Sequence, residues 1–109
     1  MLSMFVSETQ TCVDSLREKT ACTAGGELPS AEVLVEVDKE AHTLKGSALT
    51  MGIQSIVDAT ISMRGGITAA DPQAVRRSMD ELSSAWDAVK PVLEELVALM
   101  TRQSELELC

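Results

Sequence analysis

Val75, Met79, Leu82, Trp86, Val89, Leu93, Leu96 and Met100 follow one another at intervals that alternate four and three. An α-helix, with 3.6 residues per turn, puts such a series on one face, whereas a strand needs alternation by two. An apolar seam of that length must be covered by other apolar faces. The chain supplies three more. Leu2, Phe5, Thr9, Cys12 and Leu16 step by three and four, widened by Val6 and Val13. Leu34, Val37, Ala41, Leu44, Ala48 and Met51 repeat the pattern. Ile53, Ile56, Val57, Thr60, Ile61 and either Met63 or Arg64 make the fourth.

The residues between these seams predict where the helices begin and end. The first runs from about Leu2 to Ala21 and is stopped by Gly25-Gly26. The second opens near Pro29-Ser30, with Ser30 as N-cap and Glu32 at the positive end of the helix dipole. It reaches about Thr50, and Gly52 marks the bend, where a left-handed residue or a close backbone contact is allowed. Gly65-Gly66 is expected to end the third helix. Asp71-Pro72 opens the fourth as N-cap and first helical position. Pro91 removes a backbone hydrogen bond there, but the apolar phase continues beyond it. The expectation is one kinked long helix or two short collinear ones. Residues 102–109 read as a frayed tail. The fold class is therefore all-α, an antiparallel four-helix bundle forming one domain over residues 1–109, with its core within about 2–101.

Totals narrow the function. A chain of 109 residues supports one core and is too short for two. Aromatic residues are 2 %, namely Phe5 and Trp86, which disfavours a β-sandwich and leaves Trp86 as the largest core residue. Met51, Met63, Met79 and Met100 read as core filler. The net charge of −8 argues against nucleic acid and against anionic membrane surfaces as partners. No stretch approaches the roughly 20 apolar residues that span a bilayer, and Met1 to Val6 lacks the basic region of a signal peptide. Cys12, Cys22 and Cys109 are odd in number with no Cys-x-x-Cys, the usage of reduced thiols in a cytoplasmic protein.

The only histidine, His42, stands one residue past Ala41 and so about 100° around the helix from the seam, on the flank, near water. Asp38, Lys45, Gly46 and Leu49 share its stripe. A glycine inside a helix costs about 1 kcal/mol relative to alanine. Gly46 sits four residues after His42, where the missing Cβ leaves the imidazole unobstructed. Lys45 can swing its ammonium toward whatever the ring carries. Imidazole, cation and clearance within one turn suit a nucleophile that holds an anion, and the natural anion is a phosphoryl group. An unperturbed histidine titrates near about 6.5 and is mostly neutral, hence nucleophilic, at cellular pH.

This segment resembles the signature of histidine-containing phosphotransfer domains, His-x-x-Lys-Gly-x-Ser/Ala-x-x-x-Gly, filled here by His42, Lys45, Gly46, Ala48 and Gly52. The resemblance implies a helical bundle that takes a phosphoryl group on His42 and relays it to or from the aspartate of a response-regulator receiver domain. The chain would stand alone or form part of a larger sensor or chemotaxis kinase. Lys45 would stabilise the phosphate and Gly46 would give access. No cofactor is expected on this chain, and Mg²⁺ and a lysine would come with the receiver. A histidine kinase catalytic domain is the other implied partner, since no glycine-rich phosphate loop of the Walker or kinase type is present and the chain should not phosphorylate itself unaided. Relatives often place Glu or Gln on the third helix against the second imidazole nitrogen. Counting from the motif, that place falls near Arg64, where a guanidinium would disfavour imidazolium and favour phosphohistidine. Ser47 and Thr43 are candidates for hydrogen bonds near the site. Leu49, Ile53 and Asp38, with the end of the first helix, are candidates for docking the partner. Two rival readings stand beside this one. A non-catalytic helical adaptor would bind its partner without His42. A di-iron bundle enzyme needs Glu-x-x-His pairs, but position 39 is Lys39 and there is no second histidine, so no metal site is expected.

Overall fold

The computed structural model describes residues 2–108, with side chains over residues 4–102. Four α-helices follow in order: α1 (Leu2–Lys19), α2 (Ala31–Met51), α3 (Gln54–Thr68) and α4 (Pro72–Leu108). A short 3-10 turn, Ala21–Gly25, follows α1. Consecutive helices pack side by side and α4 closes back on α1, the cycle of an antiparallel four-helix bundle. The molecule measures 56 × 21 × 20 Å. Its long axis is that of α4, whose 37 residues span about 55 Å at 1.5 Å each.

The seams meet in the middle. Val13 and Leu16 of α1, Val37, Ala41 and Ala48 of α2, Ile56 and Met63 of α3, and Leu82 of α4 are wholly removed from water, with Trp86 beside them. Each large aliphatic side chain so buried contributes about 1.5–3 kcal/mol. Trp86 is the largest buried residue, and its indole Nε1–H donates to Gln10 Oε1 at 2.9 Å.

The capping residues act as their types require. Ser30 Oγ accepts from Val33 N at 3.4 Å, and Asp71 Oδ1 accepts from Gln73 N at 3.1 Å and Ala74 N at 3.3 Å. Gly52 takes a left-handed φ of 73°, and Ile53 N donates to Ala48 O while Gly52 N donates to Leu49 O. That pair of bonds closes α2 in a Schellman motif.

Several expectations are corrected. Helix α1 ends at Lys19, and Ala21 belongs to the 3-10 turn that Gly26 closes at a φ of 81°. Gly65-Gly66 does not end α3. The helix runs on to Thr68 and closes with the same Schellman bonds, Asp71 N to Gly66 O and Ala70 N to Ile67 O, with Ala70 at a φ of 53° in the place glycine prefers. Gly66 is small for a tertiary reason: a Cβ there would lie 3.0 Å from Val75 N and 3.1 Å from Ala74 Cβ, so α4 starts directly against it. Pro91 lies inside one continuous helix, so of the two alternatives expected there the single long helix is the one observed. Ile61 is exposed, because the core of α3 is completed by Ala59 and Thr60 instead. Met51, Leu96 and Met100 are exposed too, at 38, 45 and 57 %. They keep the phase of their seams but lie where those seams run past the covering helices. Of the expected tail, the backbone is helical to Leu108, while the side chains of residues 103–109 and all of Cys109 lie outside the described residues.

Candidate functional site

On α2, packing and exposure alternate within each turn. Ala41, Leu44 and Ala48 are buried, while His42, Thr43, Gly46 and Leu49 face water. The one-residue offset between Ala41 and His42 thus becomes the difference between core and surface. A Cβ added at Gly46 would meet nothing within 4 Å, so the ground one turn beyond the imidazole is open. Lys45 is half-buried and makes no hydrogen bond or ion pair among the described residues. Its ammonium remains available to an anion near the ring.

The third helix reaches this face through Arg64. Its Nη1 lies 3.1 Å from His42 Nδ1, and its Nε donates to Asp38 Oδ1 at 2.9 Å. Position 64 of α3 thus faces the imidazole, with a guanidinium against Nδ1. Asp38, singled out as a docking candidate, is the anchor of that guanidinium. Nothing in the local pattern marks this pair, since the two residues are 26 apart in sequence. Only its place in His42's stripe pointed to Asp38.

Other candidates fall elsewhere. Ser47, five residues past His42 and so about 140° around the helix, lines a narrow crevice between α1 and α2 beside Phe5, Thr9 and Cys12. Thr43 Oγ1 is taken up by Lys39 O at 3.0 Å, an ordinary bond to its own helix. Ala48 packs in the core and Gly52 caps the helix. Leu49 is 56 % exposed two turns beyond His42 on the same stripe, whereas Ile53 is half-buried and leans on the core. Met4, Phe5, Glu8, Ser47, Thr50, Met51 and Met100, from the start of α1, the end of α2 and α4, line an apolar groove of about 480 Å³. The exposed methionines are thus part of a surface.

A second polar cluster joins α1 to α2 on another side. Glu40 Oε1 accepts from Lys19 Nζ at 2.6 Å and from Ser15 Oγ at 3.0 Å. The Cys12 thiol beside it is pushed up to about 11, first by burial and then by the Glu40 carboxylate, with Lys19 working the other way. The Glu40 hydrogen bond in turn raises Lys19. Among the described residues this cluster makes no hydrogen bond or ion pair with His42, and it reads as an interhelical clasp. Among the described residues no group of three or more His, Cys, Asp or Glu is arranged to hold a metal, and no helix is long and apolar enough to cross a membrane.

An exposed imidazole with a guanidinium on one nitrogen and an unengaged lysine one turn on can carry an anion. The family model described as the Hpt domain matches residues 1–99. The chain belongs to the Hpt family. No curated protein and no solved structure matches it. Hpt domains pass phosphoryl groups through a histidine in two-component phosphorelays, which implies response-regulator partners, and their fold is a helical bundle such as this one. This Hpt domain has one histidine in its whole sequence.

Proposed function

We propose that His42 accepts a phosphoryl group on Nε2 from the aspartyl phosphate of a receiver domain, and returns it to such an aspartate. The observation that carries this reading is the exposed ring, with Nδ1 turned to Arg64 and open space at Gly46. Phosphoryl transfer asks a protein for in-line alignment and charge stabilisation more than for covalent help. Lys45 supplies a positive charge toward the group on the ring. The receiver brings the aspartate, Mg²⁺ and a lysine. Leu49, two turns along the stripe of His42, and the apolar groove farther around the helix offer a docking surface, and Ile53 packs against the core behind it. When the domain works within or beside a histidine kinase, that kinase's catalytic domain is the primary donor. Such relays operate in the cytoplasm, and chemotaxis is one setting that suits the family.

The experiment is phosphorylation by a receiver domain charged with a small-molecule phosphodonor in the presence of Mg²⁺, comparing wild type with His42→Gln. The expected result is one added phosphoryl group, lost on brief acid treatment and absent from the variant. A label that persists in His42→Gln, or that survives acid, would exclude His42 as the carrier. Binding without any label on wild type would leave a helical adaptor.

A further inference from the structure

The contact between Arg64 and His42 fixes a proton. Arginine has N–H donors and no acceptor, so at 3.1 Å Nη1 donates and Nδ1 accepts. The single proton of the neutral ring is then on Nε2. In that tautomer the solvent-facing nitrogen has no lone pair to attack phosphorus, and the nitrogen that has one is covered by guanidinium. The phosphorylated ring is matched differently. A neutral imidazole with a phosphoryl group on Nε2 also presents a lone pair at Nδ1, and protonation there makes the ring a better leaving group.

We propose that Arg64, anchored by Asp38, is a tautomer lock on His42: it keeps the resting ring in the unreactive Nε2–H form and shields Nδ1 of phosphohistidine from protons. The inference rests on the reading of His42 as phosphoryl carrier. The lock is reachable, because the Arg64 and Asp38 side chains are 36 % and 40 % exposed. The charged groups about the ring are Asp38 and Lys45 on α2 and Arg64 on α3. The guanidinium fork suits phosphate, so the negative charge of an arriving aspartyl phosphate draws Arg64 off Nδ1. The ring then loses its Nε2 proton to water and takes one from water at Nδ1. Asp38, one turn earlier on the same face, stands ready to accept the Nδ1–H. The Nε2 lone pair forms the bond to phosphorus while the bond from phosphorus to the aspartyl oxygen breaks, and that oxygen leaves with the electron pair as carboxylate. Nδ1 returns its proton to water and Arg64 closes on the lone pair again. Arg64 is thus a positioning residue acting through the ring, and it slows both wasteful attack and wasteful hydrolysis.

The tautomer can be read without phosphate, from proton–nitrogen correlation spectra of isotopically labelled histidine at a pH where the ring is neutral. Wild type is expected to show the Nε2–H pattern. Arg64→Ala is expected to bring in the Nδ1–H form, and Asp38→Asn to do so to a smaller extent. The phosphohistidine half-life of Arg64→Ala at neutral pH is expected to fall on the order of tenfold, the worth of one charge-assisted hydrogen bond. Should Arg64→Ala fail to fold by circular dichroism, Arg64→Met keeps the aliphatic stem and gives the same reading. A folded Arg64 variant with the wild-type tautomer overturns the lock, and an equal or longer half-life overturns the shielding. Failure of His42 as carrier shows instead as no label on wild type, with the spectra unaffected.

Discussion

Gly65 and Gly66 allow a test in which adjacent, chemically identical substitutions should have opposite signs. Both are interior to α3. Replacing a helix-interior glycine by alanine removes backbone entropy from the unfolded chain and stabilises by about 1 kcal/mol when the new methyl meets nothing. At Gly65 it meets nothing within 4 Å, so Gly65→Ala should stabilise by about 1 kcal/mol. At Gly66 the methyl would sit 3.0 Å from Val75 N and 3.2 Å from Ala74 C. These are backbone atoms of the first turn of α4, fixed by the Asp71 cap, and cannot swing aside as the end of a flexible side chain could. Overpacking of this kind costs about 1–3 kcal/mol. Set against the same propensity gain, Gly66→Ala should destabilise by ~1 kcal/mol. The two variants should therefore differ by ~2 kcal/mol, or ~8 °C or more in Tm for a domain of this size. Urea unfolding followed by Trp86 fluorescence and far-ultraviolet circular dichroism reads both. If Gly66→Ala is as stable as wild type, the close approach of α3 and α4 is not where the structure puts it. If both variants shift alike, helix propensity alone governs the pair.

Three further outcomes follow from particular residues. Ala70 pays for a left-handed φ of 53°, so Ala70→Gly should raise stability by ~0.5 kcal/mol, the strain relieved less the entropy glycine adds to the unfolded chain; a loss in urea unfolding would refute this. Gly46→Leu should leave stability unchanged or slightly higher, since space is open there, yet slow phosphoryl transfer ~10-fold or more by crowding the ring; an unaltered transfer rate would mean that the partner approaches from elsewhere. Cys12 ionises near 11 in the folded protein against about 9 when unfolded, and Lys19 is also raised. Both groups hold their protons more tightly when folded, so the Cys12 contribution to stability is complete below pH ~9 and is lost as pH climbs toward 11, while that of Lys19 begins to be lost only above its ordinary value of 10.5. Urea midpoints should fall over that window, less so in Cys12→Ala, and thiol reagents at neutral pH should label the exposed Cys22 well before Cys12.

Much of this fold is legible in the sequence because its signals are local. Ser30, Asp71-Pro72 and Gly52 each act within one turn of themselves, and the seam from Val75 to Leu93 needs only helical periodicity. What failed was what depends on a distant neighbour. Gly65-Gly66 carries the local signature of a turn, but its meaning is set by Ala74 and Val75 in the first turn of α4, eight and nine residues beyond Gly66. Periodicity gave the phase of Met51, Leu96 and Met100 and could not say that they stay exposed. At the site, the exposure of His42 and the clearance at Gly46 followed from spacing alone. The register of Arg64 came from counting along the motif. The grip of Asp38 on that arginine joins two helices through residues whose sequence contexts are unremarkable, and no single-helix argument finds it.

The offset of one residue between Ala41 and His42 also divides the labour of α2 for evolution. Ala41, Leu44 and Ala48 carry the packing, and a change there disturbs the bundle. His42, Gly46 and Leu49 lie on the outer side, where substitutions ordinarily move stability by no more than about 0.5 kcal/mol. On the proposed reading of this face as the docking surface, a lineage can therefore rewrite which receiver it recognises while the scaffold stays folded. A library randomised at Lys39, Thr43, Leu49 and Thr50 should stay largely folded while diverging in partner choice, as a screen pairing folding with receiver selectivity can show.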